Sequence, residues 1–363
     1  MGTVKKLFKA ILILVLVLVI LAVLALLGIF GYHRIMEPKH IEFLEKNGYC
    51  DLVSVGDHSL SVVKTGNENG KHRIVVLHGA GYGTMLEMKD FAKNLQEEDQ
   101  VIFLSRPGYN GSDDIKDDIT AELVVEDCRK ALENAGVEKP YVLMPHSLGA
   151  IYASYWVSKY PDEIEAMVNL DGVCPKPVGS PKEQDVSDMM YLYKLERRGF
   201  CELPIFRIEH PQFTETEEKA FNYMIWQTVG SDAFISDSKN SEINCNSVWN
   251  ELVPNDVPKL YLSFTSSYRS ADEVREFLEN SEQKQMYLDE YSDGFTGGED
   301  ELTDYVCGKM LDEAKREREE VIEPYAEKIG SCTIKDMPGD HFLYKSKPDE
   351  CAEAVLDFLA DIR

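Results

Sequence analysis

Residues 141–150 read YVLMPHSLGA and carry the strongest structural signal in the chain. The apolar run predicts a β-strand, and the pattern that follows it predicts a helix. A strand that ends in a sharp turn and leads directly into a helix would expose the Ser147 hydroxyl at the carboxyl edge of a sheet. Strand and helix approach closely at such a turn, so small residues are needed there, and Gly149 and Ala150 are small. The N–H of Leu148 would lie at the helix start, where it can point at an oxyanion.

Three further motifs accompany the serine in order along the chain. Residues 78–83 (HGAGYG) form a glycine-rich loop that could bring the N–H of Ala80 towards the same oxyanion. Residues 106–112 (RPGYNGS) predict a tight turn. Residues 338–342 (PGDHF) follow the last strand candidate and precede the last helix. His341 in that loop is the natural candidate for a general base that reaches back to the serine.

Short strand-like runs alternate with amphipathic segments of helical length around these motifs. Residues 50–66 predict an antiparallel hairpin around Gly56-Asp57. The later strand candidates are residues 73–78, 100–104, 141–144, 166–170, 259–264 and 332–337. The helical candidates are residues 85–98, 120–135, 148–159 and 349–362. A hairpin followed by repeated β–α units predicts an open, mostly parallel sheet with helices on both faces.

This constellation resembles the α/β-hydrolase superfamily over nearly all of residues 50–363, apart from insertions. The motifs that carry the resemblance are the HG loop, the RPGY turn, the serine elbow, the Tyr160-Pro161 pair and the late G-x-H loop. The family's elbow usually has glycine two residues before the serine, where this chain has Pro145. The resemblance implies an α/β-hydrolase fold with Ser147 as nucleophile and His341 as base.

The resemblance also implies an oxyanion hole built from the N–H groups of Ala80 and Leu148. It leaves the acid of the catalytic triad open between two carboxylates. The family usually places this acid just after the penultimate strand, but the residues expected there, Ser266 and Ser267, are not acidic. Asp272 lies a few residues further on, whereas Asp171 ends the strand that follows the nucleophile helix. We expect Asp171, with Asp272 as the alternative.

The chain divides into four segments by pattern. Residues 1–35 predict a membrane anchor, and residues 40–171 and 257–363 predict the two parts of the hydrolase core. Residues 172–256, rich in Pro, Asn, Asp and aromatic residues, predict an inserted cap over the strand ends. Residues 270–328 are strongly acidic and predict a helical insertion within the second part of the core.

Residues 10–32 are an uninterrupted uncharged stretch at the amino terminus. At about 1.5 Å per residue, such a helix spans roughly 34 Å, which is enough to cross a bilayer. The apolar region of a cleaved signal peptide is usually shorter, so an uncleaved anchor is expected. The charges at its ends are Lys5, Lys6 and Lys9 before it and Arg34, Glu37 and Lys39 after it. The positive-inside bias predicts a single-pass protein of the cell membrane with its catalytic domain on the extracytoplasmic side.

The charge balance excludes one class of partner. Thirty-eight basic against 64 acidic residues give a net charge of −26, so binding to nucleic acid is not expected. The eight cysteines are scattered without a CxxC pair or a Cys/His cluster, which indicates neither a zinc module nor a dense disulfide framework. Cys174 and Cys201 are the nearest candidates for one disulfide. No cofactor or metal is implied.

The sequence therefore predicts a serine hydrolase that cleaves a carboxylic ester, or a related acyl bond, through a Ser-His-Asp triad and an acyl-enzyme. The aromatic residues of the predicted cap fit an apolar acyl substrate, and fit equally well the core of the cap itself; they are Tyr191, Tyr193, Phe200, Phe206, Phe213, Phe221, Tyr223 and Trp226. Two alternatives remain. One is a peptidase or acyltransferase of the same fold, and the other is a non-catalytic binding module displayed at the membrane.

Overall fold

The computed structural model describes residues 2–81, 84–281 and 283–362. Its centre is one eight-stranded sheet with the order β1-β2-β4-β3-β5-β6-β7-β8. The strands are β1 Leu52–Ser54, β2 Ser59–Gly66, β3 Arg73–Leu77, β4 Gln100–Leu104, β5 Tyr141–Pro145, β6 Ile164–Leu170, β7 Lys259–Ser263 and β8 Cys332–Asp336. Strand β2 is antiparallel to β1 and β4, and all later pairings are parallel. The predicted hairpin and mostly parallel sheet are confirmed.

Helices connect the parallel strands and cover the sheet. They are α1 Gly2–Lys46, α2 Thr84–Glu87, α3 Lys89–Gln96, α4 Ala121–Asn134, α5 Gly149–Lys159, α6 Met189–Glu196, α7 Glu215–Val229, α8 Asp232–Glu251, α9 Ala271–Asn280, α10 Lys284–Tyr291, α11 Glu299–Glu317, α12 Glu323–Ile329, α13 Leu343–Ser346 and α14 Pro348–Asp361. Short 3-10 turns lie at Pro161–Glu163, Phe200–Glu202 and Pro204–Phe206, and one π-helical turn lies at Arg318–Ile322.

The sheet is buried on both faces, as β-branched strands flanked by amphipathic helices require. On one face, α4 and α5 pack their apolar sides against the sheet around the buried Trp156 and Tyr141. On the other face, α3 and α14 contribute Phe91 and Leu359 to a second core. Because helices cover both faces of the sheet, a site is expected at the carboxyl ends of the parallel strands and in the loops that follow them.

The two segments predicted as insertions are both packed, the first against the rest of the domain and the second around an apolar cluster. Helices α6, α7 and α8 lie within residues 172–256, and α7 packs Phe221 and Met224 against the end of α1 near Leu44. Helices α9 to α11 lie within the acidic stretch and enclose a small apolar cluster that includes Val274 and Val306. Both stretches are therefore packed units rather than solvated decorations.

Helix α1 is long and apolar enough to cross a membrane, by length and composition. It does not end near residue 35, where the sequence suggested the anchor would end, but continues through Pro38 to Lys46. Its last turns leave the apolar stretch and pack onto the folded domain, since Leu44 is fully buried. The eight cysteines are free thiols, so Cys174 and Cys201 do not pair.

Candidate active site

Ser147 lies at the sharp turn between β5 and α5. Its backbone φ of 51° is in the left-handed region, which a non-glycine residue rarely adopts and which is typical of a nucleophile elbow. Gly149 has no room for a side chain, because a Cβ there would collide with the carbonyl oxygens of Leu77 and His78. The strand accommodates Pro145 as its last residue, and the pairing continues through the N–H of His146, which donates to Leu77 O over 3.0 Å.

The glycine-rich loop after β3 passes directly over the serine. A Cβ added to Gly79 would lie 2.8 Å from Ser147 Cβ and 3.3 Å from Ser147 Oγ, so only glycine permits this approach. Within the described residues, neither the N–H of Ala80 nor that of Leu148 reaches an acceptor. Two unsatisfied donors next to a partly exposed serine are the elements from which an oxyanion hole is built.

His341 and Asp171 form a direct pair. His341 Nδ1 lies 2.9 Å from Asp171 Oδ2, with the histidine side chain 35% exposed and the aspartate side chain 4% exposed. The carboxylate also accepts hydrogen bonds from Phe264 N at 2.8 Å and Thr265 Oγ1 at 3.1 Å. In the described part of the chain, His341 Nε2 has no hydrogen-bond partner.

Asp272, the alternative acid, lies elsewhere. It is exposed in the first turn of α9 and makes no hydrogen bond to His341 in the described structure. Of the two candidates, the geometry favours Asp171. Its position at the end of β6 is held by its own N–H, which donates to Leu262 O of β7 over 2.9 Å.

His146 supports the general-base candidate from beneath. Its Nε2 lies 3.0 Å from the carbonyl oxygen of His341, and the two rings are 4.6 Å apart. Burial, followed by the charge of His341, lowers the pKa of His146 to about 3. A neutral His146 donates its Nε2–H to that carbonyl and thereby fixes the backbone of the loop.

A buried ionic network holds the glycine-rich loop from the other side. Arg106 of the RPGY turn donates to the carbonyl oxygens of His78 and Gly79, and His78 Nε2 accepts from Arg106 N at 3.2 Å. Arg106 pairs with Asp237 of α8, whose Oδ2 lies 3.0 Å from Nη2, and both side chains are almost fully buried. Asp237 also accepts from the hydroxyls of Tyr109 (2.8 Å) and Tyr152.

Asp237 and Thr265 are site-supporting residues that the sequence alone did not reveal. Asp237 is one acid among many in a cap segment 131 positions from Arg106, and Thr265 is one hydroxyl in a run of them. Neither belongs to a motif with characteristic spacing. Only the packing of α8 on the sheet, and the turn after β7, bring them to their partners.

Two exposed apolar side chains flank the site. Phe342 is 42% exposed, and its ring lies 5.2 Å from that of His341. Val173 is 38% exposed, and its N–H donates to Ser147 O over 2.9 Å. Exposed apolar residues at both ends of the polar groups suit a ligand with an apolar portion.

Most of the predicted cap aromatics pack with one another or against α1 rather than around Ser147. Phe213 stacks on His210 at 3.8 Å and lies 5.3 Å from Phe221. Phe206 contacts Trp226 edge to face at 6.0 Å. These contacts indicate that the aromatic residues form the core of the predicted cap rather than a substrate pocket.

Comparisons with known proteins agree with this architecture. A family model described as alpha/beta hydrolase fold matches residues 72–198. The uncharacterized protein YbdG of Bacillus subtilis is 25% identical over 365 residues, which covers 99% of this chain and 100% of that protein. The structure of the epoxide hydrolase CorEH superposes with a TM-score of 0.56 at 14% identity, over 86% of this chain and 99% of that one. An esterase from Thermogutta terrifontis superposes with a TM-score of 0.53 at 16% identity, over 86% and 98% of the two chains.

The family match spans the glycine-rich loop, the RPGY turn, the serine elbow and the strand that ends at Asp171. The sheet order and the positive φ of Ser147 are also those expected of an α/β-hydrolase fold. The structural neighbours carry the fold over most of the chain and include more than one kind of hydrolase. On these grounds the chain has the α/β-hydrolase fold, and its residues 72–198 match the family model of that fold.

Proposed function

We propose that this protein is a membrane-anchored serine hydrolase that cleaves carboxylic esters through an acyl-enzyme. Ser147 is the nucleophile, His341 the general base and Asp171 the acid that orients it. The N–H groups of Ala80 and Leu148 stabilise the oxyanion. The observation that carries the proposal is the 2.9 Å contact between His341 Nδ1 and Asp171 Oδ2, which leaves Nε2 free to act as the base.

The contact between Asp171 and His341 determines which nitrogen of the histidine ring carries the proton. Because the Asp171 carboxylate accepts a proton-bearing nitrogen, His341 carries its proton on Nδ1 and presents the Nε2 lone pair as a base. Within the described residues, Ser147 Oγ makes no hydrogen bond, as is common before substrate arrives. Substrate binding would bring Oγ and Nε2 together.

The reaction then follows from these positions. His341 Nε2 takes the Ser147 proton as Oγ attacks the ester carbonyl, and the carbonyl oxygen becomes an oxyanion. The protonated histidine next gives its proton to the departing alkoxide, which leaves as an alcohol. Water enters, loses a proton to His341, and cleaves the acyl-enzyme to a carboxylic acid and free serine.

The unsatisfied N–H groups of Ala80 and Leu148 would stabilise the charge that develops on the carbonyl oxygen. One such donor contributes roughly 3–4 kcal/mol to the transition state. The close approach of Gly79 to Ser147 and the hydrogen bonds from Arg106 hold the loop in place before substrate binds. Little reorganisation is therefore needed during the reaction.

The surroundings of the site suggest an apolar acyl or alcohol portion. Phe342 and Val173 expose apolar surface beside the reacting groups. The net charge of −26 disfavours anionic substrates at long range. We therefore place small, apolar esters first among the substrates.

Helix α1 would anchor the enzyme in the cell membrane. Its uncharged stretch suits a bilayer, and the lysines before it favour a cytoplasmic amino terminus. The catalytic domain would then lie on the extracytoplasmic side of a single-pass protein.

Hydrolysis of p-nitrophenyl esters of increasing acyl length tests the proposed activity. Turnover should fall to the uncatalysed rate in Ser147→Ala, whereas the exposed cap serine variant Ser187→Ala should match the wild type. Full activity in Ser147→Ala would contradict the role of the serine. A folded wild type that is inactive on every ester would instead support the binding-module alternative.

A further inference from the structure

A cluster of histidine, cysteine and glutamate side chains lies where α1 leaves its apolar stretch and meets the cap. His33 of α1 is 2% exposed and faces the 3-10 turn that carries Cys201 and Glu202. Gly199, at φ 79°, makes this approach possible, because a Cβ there would lie 2.5 Å from His33 Cβ. The chain is therefore shaped to bring these groups together, although 168 residues separate His33 from Cys201.

The donor atoms have the spacing of a small coordination site. His33 Nδ1 lies 3.0 Å from Glu202 Oε1 and 3.7 Å from Cys201 Sγ. One ligand atom from each of the three residues lies within 4.8 Å of the other two. Tetrahedral coordination with bonds of about 2.0–2.3 Å places ligand atoms about 3.3–3.8 Å apart. The His33–Cys201 distance lies in this range, and the His33–Glu202 distance would have to lengthen slightly.

Two neighbours complete the arrangement. Glu196 Oε1 lies 3.2 Å from His33 Nε2, the position of the carboxylate that orients a metal-bound histidine. His40 Nε2 lies 3.5 Å from Glu202 Oε1. That nitrogen is buried and, within the part of the chain that the structure describes, makes no hydrogen bond. It is a candidate for a fourth ligand, although it lies outside the group of three whose ligand atoms are all within 4.8 Å of one another.

The cluster borders a cavity from which an ion could enter. The cavity has a volume of about 200 Å³ and is lined by His33, His40, Glu196 and Cys201 among others. A donor set of imidazole, thiolate and carboxylate suits zinc-class ions, whereas calcium and magnesium prefer oxygen ligands alone.

We propose that His33, Cys201 and Glu202 bind a divalent transition-metal ion of the zinc class, with His40 as the fourth ligand and Glu196 orienting His33. Binding releases two protons to solvent, one from the Cys201 thiol and one from His33 Nδ1, which otherwise donates to Glu202, because the thiolate and the unprotonated ring nitrogen are the metal ligands. The ion would join the membrane-proximal end of α1 to the cap. The site is separate from Ser147 and does not depend on the ester chemistry.

Cobalt(II) titration of the full-length protein in detergent, after removal of metals with a chelator, tests the site. We expect one equivalent of Co²⁺ to produce a thiolate-to-cobalt charge-transfer band that Zn²⁺ then abolishes. Cys201→Ser should abolish the band, and the matched variant Cys332→Ser, at another partly exposed cysteine, should retain it.

The orienting carboxylate gives a second test that leaves all ligands in place. Glu196→Gln should keep the band but lower the affinity for Co²⁺ about 10–100-fold. Circular dichroism in metal-free buffer would show whether each variant is folded. If Cys201→Ser does not fold, the affinity of Glu196→Gln for Co²⁺ tests the metal site in its place.

Two results would overturn the proposal. One is a folded wild type that gives no charge-transfer band with Co²⁺. The other is a band of equal intensity and affinity in Cys201→Ser or Glu196→Gln. In either case the cluster would be only a hydrogen-bonded pairing of His33 with its two glutamates.

Discussion

Asp171 combines a left-handed backbone with a nearly buried carboxylate. Its φ is 47°, a conformation that costs a non-glycine residue of order 1–3 kcal/mol. Donors from Phe264, Thr265 and His341 converge on its two oxygens and fix their direction. Strain that is held by such a set of hydrogen bonds is typical of functional positions.

We expect Asp171→Asn to lower kcat about 10³–10⁴-fold, the loss seen when a triad carboxylate becomes an amide. The amide nitrogen can donate to His341 Nδ1, which would move the ring proton to Nε2 and remove the base. Steady-state hydrolysis of an activated ester measures the effect. The exposed Asp272→Asn is the control and should retain full turnover. Near-normal turnover in Asp171→Asn would show that another group orients the histidine.

The lowered pKa of His146 makes stability depend on pH in a defined direction. The unfolded chain binds a proton at an ordinary pKa near 6.5, whereas the folded ring does so only near 3. The stability from His146 is therefore complete above about pH 6.5 and is lost as pH falls towards 3. At pH 5 the loss is about 2 kcal/mol.

Urea unfolding of the wild type and His146→Gln at pH 7 and pH 5 measures this contribution. Glutamine keeps a donor for the His341 carbonyl but does not titrate. We expect the wild type to lose about 2 kcal/mol more than the variant between the two values. An equal loss in both proteins would mean that His146 is protonated in the fold.

At this scale the sequence marks the proposed nucleophile and base more clearly than the proposed acid. Ser147 and His341 stand in motifs whose local spacing is informative. Asp171 reaches His341 only because β6 and β7 pair in a particular register and the chain turns inward after Leu170. That turn depends on tertiary contacts, so the sequence alone could not predict the contact between Asp171 and His341.

Helix α8 of the cap is joined to the glycine-rich loop by one buried ion pair. Asp237 neutralises Arg106, and Arg106 holds the carbonyl oxygens of His78 and Gly79. A buried charge without its partner is strongly unfavourable. The cap and the oxyanion loop should therefore be stable only together.

We expect Asp237→Asn to lower the free energy of unfolding by about 3–5 kcal/mol, because it leaves Arg106 buried and uncompensated. Asp232→Asn removes a carboxylate from the partly exposed pair with Arg197 and should cost less than about 1 kcal/mol. Urea unfolding measures both. A cost below 1 kcal/mol for Asp237→Asn would mean that water or another group compensates Arg106.

The elements themselves were largely predictable from periodicity. Strand β4 has the predicted bounds, and the other predicted strands differ by at most two residues at either end. The predicted helix at residues 85–98 is divided at Met88 into α2 and α3, since Met88 turns its side chain into the core. The partners of α8 were not predictable, because no local pattern connects Asp237 with Arg106.

At the scale of the whole molecule, α1 belongs to both the proposed anchor and the folded domain. Its apolar stretch is exposed, whereas Leu44 is fully buried with Phe221 and Met224 of the cap. The sequence showed the length of the apolar stretch. It did not show that the helix continues as a core element, because Pro38 and nearby charges suggest an end there.

Two truncations test this division. Removal of residues 1–28 deletes most of the exposed stretch and should leave the unfolding temperature nearly unchanged. Removal of residues 1–46 also deletes Leu44, whose loss alone should cost about 2–5 kcal/mol. Thermal unfolding monitored by circular dichroism compares the two proteins. Equal unfolding temperatures would show that the end of α1 does not stabilise the domain.

The central claim is that His341 activates Ser147 as a nucleophile. Labelling with a fluorophosphonate, followed by mass spectrometry of the modified peptide, tests it most directly. We predict one adduct on Ser147 in the wild type, and none in Ser147→Ala or His341→Ala of confirmed fold. A folded wild type that takes up no label, or an adduct on another serine, would contradict the account.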